Sequence, residues 1–258
     1  MTGDPSVIVE REGAVARVTL NRPTVRNAFN AELRVALLEA IRSVESDDGI
    51  RVAVLAGSGE GFCAGADLSE GISESVTEQI ENEYKPFLMA IAESSKIWIA
   101  AVQGAAAGIG GALAMTCDLS VMEEDACIYQ AFAAIGLIPD GGTTWHLLHA
   151  MGYRRAFETI VEGKRTTASE CLELGLANKV VDRGTAGEEA MAWAQKLATG
   201  APLAQETAKR VLRHVGRMRL QDAITLEAKA QHKLTESEDF RIAVAAFFAK
   251  RKPEFKGK

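Results

Sequence analysis

The chain has 258 residues, of which 47% are hydrophobic and 25% charged, with a formal net charge of −6 at pH 7. This length and composition are typical of one large globular domain, or of a domain with a small appendage. The acidic balance argues against nucleic acid and against an anionic membrane surface as partners. No apolar run approaches the roughly 20 residues that a membrane span needs.

The four cysteines are Cys63, Cys117, Cys127 and Cys171, and none of them forms a CxxC pair. Without a CxxC pair or a neighbourhood of metal-ligand type, they predict reduced thiols, mostly buried, and no metal site. The N-terminal residues show neither the basic nor the apolar region of a signal peptide. These patterns together predict a cytoplasmic protein.

The first half of the chain alternates between apolar, β-leaning runs and amphipathic segments. Strands are predicted at residues 7–10, 15–20 and 52–56. A helix is predicted over residues 31–46, because apolar residues recur there at helical spacing after Asn30, a favourable N-cap. Such alternation predicts βαβ units and a largely parallel sheet.

A glycine-rich turn is predicted where residues 104–118, GAAAGIGGALAMTCD, follow a strand at residues 97–102. If a helix begins there, backbone N–H groups at its positive end favour an oxygen that carries negative charge. The alternative is that the small residues only allow a strand and a helix to pack closely. Short extended pieces are predicted next, at residues 128–130 and 133–135.

The last hundred or so residues are predicted to be helical. We divide the chain into a core, residues 1–200, and a helical C-terminal region, residues 201–258. The predicted helices span residues 153–161, 168–174, 186–199, 202–214, 220–234 and 238–250.

Five segments resemble, in order and spacing, the motifs of the crotonase family of enoyl-CoA hydratases and isomerases. The resemblance implies an α/β fold, a spiral of ββα units with a helical C-terminal trimerisation region, and a homotrimer or a dimer of trimers. It also implies an acyl-CoA thioester as substrate and no separate cofactor, since coenzyme A is part of the substrate. The segments are NRPTVRNAFN (21–30), GEGFCAGADLSE (59–70), QGAAAGIGGALAMTCDLSV (103–121), QAFAAIGLIPDGGTT (130–144) and FFAKRKPEF (247–255).

The shared chemistry of that family is an oxyanion hole, in which two backbone N–H groups bind the thioester carbonyl oxygen. By position in the motifs, the resemblance implies Ala66 and Ile109 as the two donors. Removing a proton next to a thioester carbonyl places negative charge on that oxygen, and losing one such donor costs about 3–4 kcal/mol in studied hydrolases. Backbone donors leave the side chain free but require a backbone that can approach the ligand, which suits the flanking glycines.

The carboxylates suggest which reaction this chain catalyses. The resemblance places the two glutamates of hydratases at Ala112 and Phe132, neither of which can transfer a proton. Asp140 lies where isomerase-type relatives carry a single acid/base residue; they include ring-epoxide isomerases of phenylacetyl-CoA breakdown and 3-enoyl-CoA to 2-enoyl-CoA isomerases. One carboxylate suffices to take a proton from C2 and return it to C4. The sequence therefore favours an enoyl-CoA isomerase-like enzyme, in which apolar neighbours raise the pKa of Asp140.

Simpler interpretations and other functions remain open. Pro-Asp-Gly-Gly before a helix is also an ordinary turn, in which Asp140 would be only a helix cap. The chain is alternatively a hydratase, or an acyl-CoA binder without catalytic activity. The polar residues 69–84 and those near Trp145 are expected to shape the acyl pocket. The resemblance implies further coenzyme A or substrate contacts at Arg26, Ala28, Ala64, Asp67, Leu68, Gly108 and Phe132, with Phe247 and Lys250 contacting the ligand of a neighbouring subunit.

Overall fold

The structure, a computed structural model, describes residues 4–71, 73–216 and 218–258. In this part of the chain, strands and helices are interspersed up to α7, and three further helices follow. The strands are β1 (Val7–Glu12), β2 (Val15–Leu20), β3 (Val52–Gly57), β4 (Ile97–Val102), β5 (Ala105–Ala107), β6 (Leu119–Glu123), β7 (Cys127–Tyr129), β8 (Arg165–Thr167) and β9 (Lys179–Val181). The helices are α1 (Ala31–Ser46), α2 (Val76–Gln79), α3 (Lys85–Glu93), α4 (Ile109–Thr116), α5 (Thr143–Val161), α6 (Ala168–Glu173), α7 (Ala186–Ala198), α8 (Pro202–Val215), α9 (Leu220–Thr235) and α10 (Glu238–Phe248).

The larger sheet has the strand order β1-β2-β3-β4-β6-β9 and is parallel except for the β1–β2 hairpin. Strands β3 and β4 are almost wholly buried and apolar, as expected for parallel strands that are covered on both faces. Helices α1, α3 and α4 pack on one face. Helix α7 covers the other face with alanines at every fourth residue, so that it approaches the sheet closely.

A smaller sheet in the order β5-β7-β8 lies next to the glycine-rich segment. Each of these strands has three residues, and the sequence pattern predicted neither β5 nor β8. Strands this short are defined by their pairing with other strands, and a sequence period cannot reveal that pairing. The same is true of β9, which completes the larger sheet.

One predicted element around residues 131–161 is wrong. Residues 133–135 are not extended, because Ala131–Ile135 forms a 3-10 helix. Helix α5 begins at Thr143, directly after the Pro-Asp-Gly-Gly turn that was expected before a helix, and it continues across a kink at Gly152, where φ is 73°, into the helix predicted at residues 153–161. A glycine adopts that conformation without the steric cost of a side chain.

The C-terminal helices are attached to the core by buried ionic contacts. Lys209 and Arg213 of α8 both pair with Asp118, at 2.8 and 2.9 Å. The last residues fold back onto α10, where the Asp239 carboxylate accepts hydrogen bonds from the backbone N–H groups of Lys256 and Gly257.

Within the described ranges, no helix is both long enough and apolar enough to cross a bilayer. All four cysteines are free, and three of them are buried, as predicted.

Candidate active site

Two loops, one after β3 and one around β5, lie side by side and form the centre of the candidate site. Their backbones are joined at Cys63, whose N–H donates to Ala105 and whose carbonyl accepts from Ala107, at 3.1 and 2.8 Å. On its other side, the first loop pairs with Phe29 through a backbone bridge to Ala66. The first loop is therefore fixed by main-chain hydrogen bonds on both sides.

The closest approach of the two loops requires Gly65. Its φ is 99°, and a Cβ atom added there would lie 3.1 Å from the Ala107 carbonyl oxygen. A side chain there would be strained by the backbone conformation, and the Ala107 carbonyl would have to move by a few tenths of an ångström to admit its Cβ. Gly65 brings the Ala66 segment next to the start of α4.

The predicted donors, Ala66 and Ile109, both have unused backbone N–H groups. Ile109 is the first residue of α4, which is preceded by Gly108 (φ 52°) and has no side-chain cap. Within the described ranges, neither N–H donates to a protein acceptor. Two unused donors on adjacent loops, one of them at the positive end of a helix, favour a negatively charged oxygen.

The close-packing interpretation of the glycine-rich segment holds for two of its glycines. Gly110 and Gly111 allow close packing, since Cβ atoms there would lie 2.6 Å from Cys63 Cβ and 3.1 Å from the Ala106 carbonyl oxygen. Gly108 instead forms the turn that leaves the Ile109 N–H free. A free N–H group at this position is what the anion-binding interpretation requires.

Asp140 is half-buried, and its carboxylate does not cap helix α5. The cap residue of α5 is Gly142, which makes no side-chain cap bond. Asp140 contributes only its main-chain carbonyl, which accepts a hydrogen bond from the Thr143 N–H at 3.0 Å. The helix-cap alternative is therefore wrong for its side chain.

The surroundings of the Asp140 carboxylate destabilise its charged form. Its Oδ1 atom is buried and has no hydrogen-bond partner in the described part of the chain. Burial raises the pKa of Asp140 above the ordinary aspartate value, as apolar surroundings were predicted to do. A carboxylate in this state is a stronger base than one in water.

The loop that carries Asp140 packs directly on the first turn of α4. A Cβ atom on Gly141 would lie 2.5 Å from Ile109 Cδ1 and 2.9 Å from Ala112 Cβ. This packing brings the carboxylate-bearing loop up to the second donor. Ala112, at the position that resembles a hydratase glutamate, is fully buried beneath the loop and carries no carboxylate.

Phe132 occupies the second of these glutamate positions. It is half-buried, and its ring lies 3.6 Å from where a Cβ of Gly108 would be. The ring therefore lies against the turn that precedes Ile109. It adds an apolar surface, not a proton donor, to the site.

Arg34 forms ion pairs near both ends of residues 69–84, the polar segment that was predicted to shape the acyl pocket. The Arg34 guanidinium, 7% exposed, pairs with Glu70 and Glu83 and donates to the Tyr84 hydroxyl at 3.4 Å. Burial raises the pKa of Tyr84, and the charge of Asp140 contributes to this shift. Arg34 was not singled out from the sequence, because a lone arginine within a helix has no distinguishing pattern.

A second group of predicted residues lines a cavity of about 350 Å³ beside the donor loops. Arg26 and Ala64 meet there with Tyr129 and Arg165, which sequence reasoning missed. The Arg165 guanidinium lies 4.1 Å from the Tyr129 ring centroid, a cation–π contact. These two residues are partners in the β7–β8 pairing, and that pairing was the signal required to find them.

The other predicted contact residues near the first loop have different surroundings. Ala28 is buried, and its carbonyl accepts a hydrogen bond from the Arg22 side chain. Asp67 pairs with Arg22 at 2.9 Å and accepts bonds from Ser69, which lower its pKa, so that it orients the loop. Leu68 is 71% exposed.

Phe247 and Lys250 lie apart from these residues. Phe247 is 78% exposed at the end of α10, and Lys250 follows with a φ of 50°. Neither residue lines the cavity that contains Arg26 and Ala64.

Comparison with known proteins identifies the family of the chain. Residues 10–258 match the family model described as enoyl-CoA hydratase/isomerase. The 1,2-epoxyphenylacetyl-CoA isomerase of Escherichia coli (strain K12) is 36% identical, covering 96% of this chain and 97% of its own. The 2,3-dehydroadipyl-CoA hydratase of the same organism is 34% identical, over 98% and 99% of the two chains.

A solved structure supports the predicted fold. The crystal structure of an enoyl-CoA hydratase from Polaromonas sp. JS666 superposes with a TM-score of 0.92 at 31% identity, covering 97% of this chain and 99% of that one. The predicted crotonase-like fold and the family resemblance are therefore confirmed.

Proposed function

This chain belongs to the enoyl-CoA hydratase/isomerase family, and we propose that it is an isomerase that shifts the double bond of an enoyl-CoA thioester. The reaction is the conversion of 3-enoyl-CoA to 2-enoyl-CoA, or a related isomerisation. One relative is named an isomerase and others are named hydratases, so the choice between the two activities rests on the residues of this chain.

The observation that carries the proposal is the state of Asp140. Its carboxylate is half-buried, Oδ1 has no hydrogen-bond partner, and its loop packs on the helix that begins with Ile109. A residue that only ended a turn would gain nothing from burying a carboxylate oxygen without a partner, which is energetically costly. An acid/base group benefits from the same surroundings, because they move its pKa toward the working pH.

The proposed mechanism uses two donors and one base. The thioester carbonyl oxygen accepts hydrogen bonds from the N–H groups of Ala66 and Ile109. Asp140 removes a proton from C2, and the electron pair of that C–H bond moves into a dienolate whose negative charge lies on the carbonyl oxygen. The protonated Asp140 then returns the proton to C4, so that the double bond moves from C3–C4 to C2–C3 and the carboxylate is restored.

Water addition is the less favoured alternative, because the two positions that resemble the hydratase glutamates hold Ala112 and Phe132. Ala112 is fully buried against the Gly141 loop and supplies no second carboxylate. Water addition would have to use Asp140 alone. Stabilisation of the thioester enolate is common to both reactions, so the donor loops do not distinguish between them.

The proposal includes coenzyme A binding and assembly into a trimer. Arg26 and Ala64 would line the coenzyme A channel, with Phe247 and Lys250 contributed by a neighbouring subunit. Exposed apolar side chains on α8–α10 support an interface between copies, since contiguous exposed apolar surface marks interaction sites. They are Leu212, Leu220, Ile224, Phe240, Val244, Phe247 and Phe248.

The test is a turnover assay with a 3-enoyl-CoA, followed by the ultraviolet absorbance of the conjugated thioester. The wild-type protein should form 2-enoyl-CoA, and Asp140→Asn should lower kcat by about 10²–10⁴-fold, the usual contribution of a general acid/base group. Asp125→Asn, an exposed carboxylate that pairs with Arg183, is the matched control and should keep full activity.

Two results would contradict the proposal. One is 3-hydroxyacyl-CoA formation from a 2-enoyl-CoA at a rate above isomerisation, which would identify a hydratase. The other is acyl-CoA binding without either reaction, which would identify a binding protein. Circular dichroism of both variants excludes misfolding as the cause of lost activity.

A further inference from the structure

Arg34 lies in the first turn of helix α1, close to the segment that pairs with the first donor loop. Its side chain is only 7% exposed, and a buried charge is costly unless it is paired. The guanidinium forms ion pairs with Glu70 and Glu83, at 3.2 and 2.5 Å. Its Nη1 group also donates to the main-chain carbonyl oxygen of Phe29, at 3.3 Å. Arg34 thus connects two distant carboxylates to the backbone beside the donor loop.

The Phe29 carbonyl belongs to the backbone bridge that orients the Ala66 donor. The Phe29 N–H donates to the Gly65 carbonyl at 2.7 Å, and the Phe29 carbonyl accepts from the Asp67 N–H at 2.9 Å. This is the pattern of a parallel bridge, in which the residue between the two bonded groups, Ala66, directs its own N–H away from the partner segment. The bridge therefore sets the direction in which the free Ala66 N–H points.

The guanidinium reinforces this bridge at its acceptor. A carbonyl oxygen has two lone pairs, so that of Phe29 accepts from both Asp67 and Arg34. A hydrogen bond from a charged donor is about twice as strong as one from a neutral donor. Glu70 is itself fixed, because its carboxylate accepts a hydrogen bond from the Ala31 N–H at the start of α1, at 2.9 Å. The guanidinium is thus held in place and limits the movement of the Phe29 carbonyl.

The same guanidinium contacts the aromatic cluster that holds the Phe29 side chain. Arg34 Nη1 donates to the Tyr84 hydroxyl at 3.4 Å, and Cζ lies 5.4 Å from the centroid of the Tyr84 ring. The Phe29 ring stacks on that of Phe87 with centroids 5.2 Å apart, and the Tyr84 ring meets both edge-on. Phe29 is therefore held through its main chain and its side chain by one buried cluster.

We propose that Arg34 is a positioning residue for the oxyanion hole. It fixes the Phe29 carbonyl and, through the backbone bridge, the direction of the Ala66 N–H, and it does not itself touch the substrate. The inference rests on the proposed function in one respect, the use of the Ala66 N–H to bind the thioester carbonyl oxygen. A purely structural role would predict a different result, since loss of Arg34 would then lower stability and leave the donor unchanged.

The test observes the thioester carbonyl directly and needs no turnover. Butyryl-CoA labelled with ¹³C at that carbonyl is bound to the full-length protein, and its stretching frequency is measured by isotope-edited infrared spectroscopy. Hydrogen bonds from the two donors should lower the frequency relative to the free thioester. Arg34→Met, which keeps the side-chain stem and removes the guanidinium, should lose up to about half of this shift, because one of the two donors is displaced.

Turnover of a 3-enoyl-CoA gives a second measurement. Arg34→Met should lower kcat by about 10–100-fold, the cost of a misplaced but present donor, with KM within about threefold of wild type. Arg34→Lys keeps the charge but replaces the planar fork with a single donor position, so its frequency and kcat should lie between those of wild type and Arg34→Met.

Arg42→Met is the matched control, because Arg42 is an exposed arginine of the same helix. It should keep the full frequency shift and kcat within about twofold of wild type, as expected for a surface substitution away from the site. Circular dichroism and thermal unfolding establish that each variant is folded. If Arg34→Met fails to fold, Arg34→Lys should still lose part of the shift.

A folded Arg34→Met protein with the wild-type carbonyl frequency and kcat would overturn the inference, even if its stability fell. So would a wild-type frequency in Arg34→Lys, if that were the variant that folds. Bound butyryl-CoA without any frequency shift in the wild-type protein would contradict the proposed oxyanion hole, and the role of Arg34 with it. A normal shift without isomerase turnover would contradict only the proposed reaction, and the loss of that shift in Arg34→Met would still support the inference.

Discussion

The donor loops and the Asp140 loop lie against the same end of α4, yet they are built in opposite ways. The donor loops offer main-chain N–H groups, fixed by backbone bonds at Cys63 and by a bridge from Phe29 to Ala66. The Asp140 loop offers one side chain, held by few bonds and buried without a partner for Oδ1. In the proposed mechanism the first arrangement stabilises charge and the second moves a proton.

The two regions should therefore tolerate different substitutions. A main-chain donor keeps its function when its own side chain changes, provided the backbone keeps its path. A side-chain base loses its function with a single substitution, and the two positions that resemble the hydratase glutamates, Ala112 and Phe132, hold no carboxylate to replace it. The donor loops should therefore be sensitive at their glycines, and the Asp140 loop at its carboxylate.

Among the variants that compare the two regions, Gly65→Ala in the donor loop should lose the most activity. The added methyl group would lie 3.1 Å from the Ala107 carbonyl oxygen, at a φ of 99° that alanine rarely adopts. The loop should move to relieve this contact and displace the Ala66 N–H. We therefore expect kcat to fall by about 10²–10³-fold, the usual cost of losing one oxyanion donor. Steady-state kinetics with a 3-enoyl-CoA checks this.

Ala66→Ser is the matched control for the donor loop. It changes an exposed side chain and keeps the N–H, so kcat should stay within about threefold of wild type. A large loss in Ala66→Ser with little loss in Gly65→Ala would break the comparison, because side chains would then matter more than backbone.

The next effect concerns pH. Burial raises the pKa of Asp140 and thus disfavours its charged form. The base must be ionised to take the C2 proton, so kcat/KM should fall tenfold per pH unit below that pKa, and the fall should begin above the ordinary aspartate value of about 3.9. A pH profile of kcat/KM measures this position.

His146 provides the control for the pH profile. With a pKa lowered to about 4 by burial, it should contribute no limb between pH 5 and 8. His146→Gln should therefore leave the acidic limb where it is. An acidic limb at or below pH 3.9, or one that moves with His146→Gln, would contradict the assignment to Asp140.

A smaller effect is expected for stability at the contact between the two regions. Ala112 is fully buried against Gly141, so Ala112→Val should lower the free energy of unfolding by about 1–3 kcal/mol through overpacking. Ala114→Ser, a small change in the same helix, should cost less. Denaturant unfolding compares the two, and a neutral Ala112→Val would mean that the loop does not pack on α4.

The sequence predicted the regular part of the fold well, since β3, β4 and the Asn30-capped α1 have strong local patterns. Asn30 indeed accepts a hydrogen bond from the Leu33 N–H. It did not predict β5, β8 and β9, whose three residues each depend on pairing with distant strands. Nor did it show that α5 continues through the kink at Gly152 as one element.

The residues of the candidate site were likewise predicted where a local motif contains them and missed where distant segments pair. Motifs indicated Ala66, Ile109 and Asp140, and the structure brings their loops to one end of α4. Arg165 and Tyr129 were not predicted, because they become neighbours only through the β7–β8 pairing. Arg34 was not predicted either. It pairs with Glu70 and Glu83, which are distant from it in sequence, and no local pattern shows such contacts.

The most direct test of the central claim, that Asp140 carries the proton from C2 to C4, is conversion in ordinary water of a 3-enoyl-CoA that is deuterated at C2, analysed by mass spectrometry and NMR. The wild-type protein should yield 2-enoyl-CoA with deuterium transferred to C4 and no hydroxyl group at C3. Asp140→Asn, shown by calorimetry to bind the thioester, should yield almost none. No deuterium at C4 in the wild-type product, transfer at a comparable rate in the variant, or 3-hydroxyacyl-CoA as the main product of the wild-type protein would contradict the account.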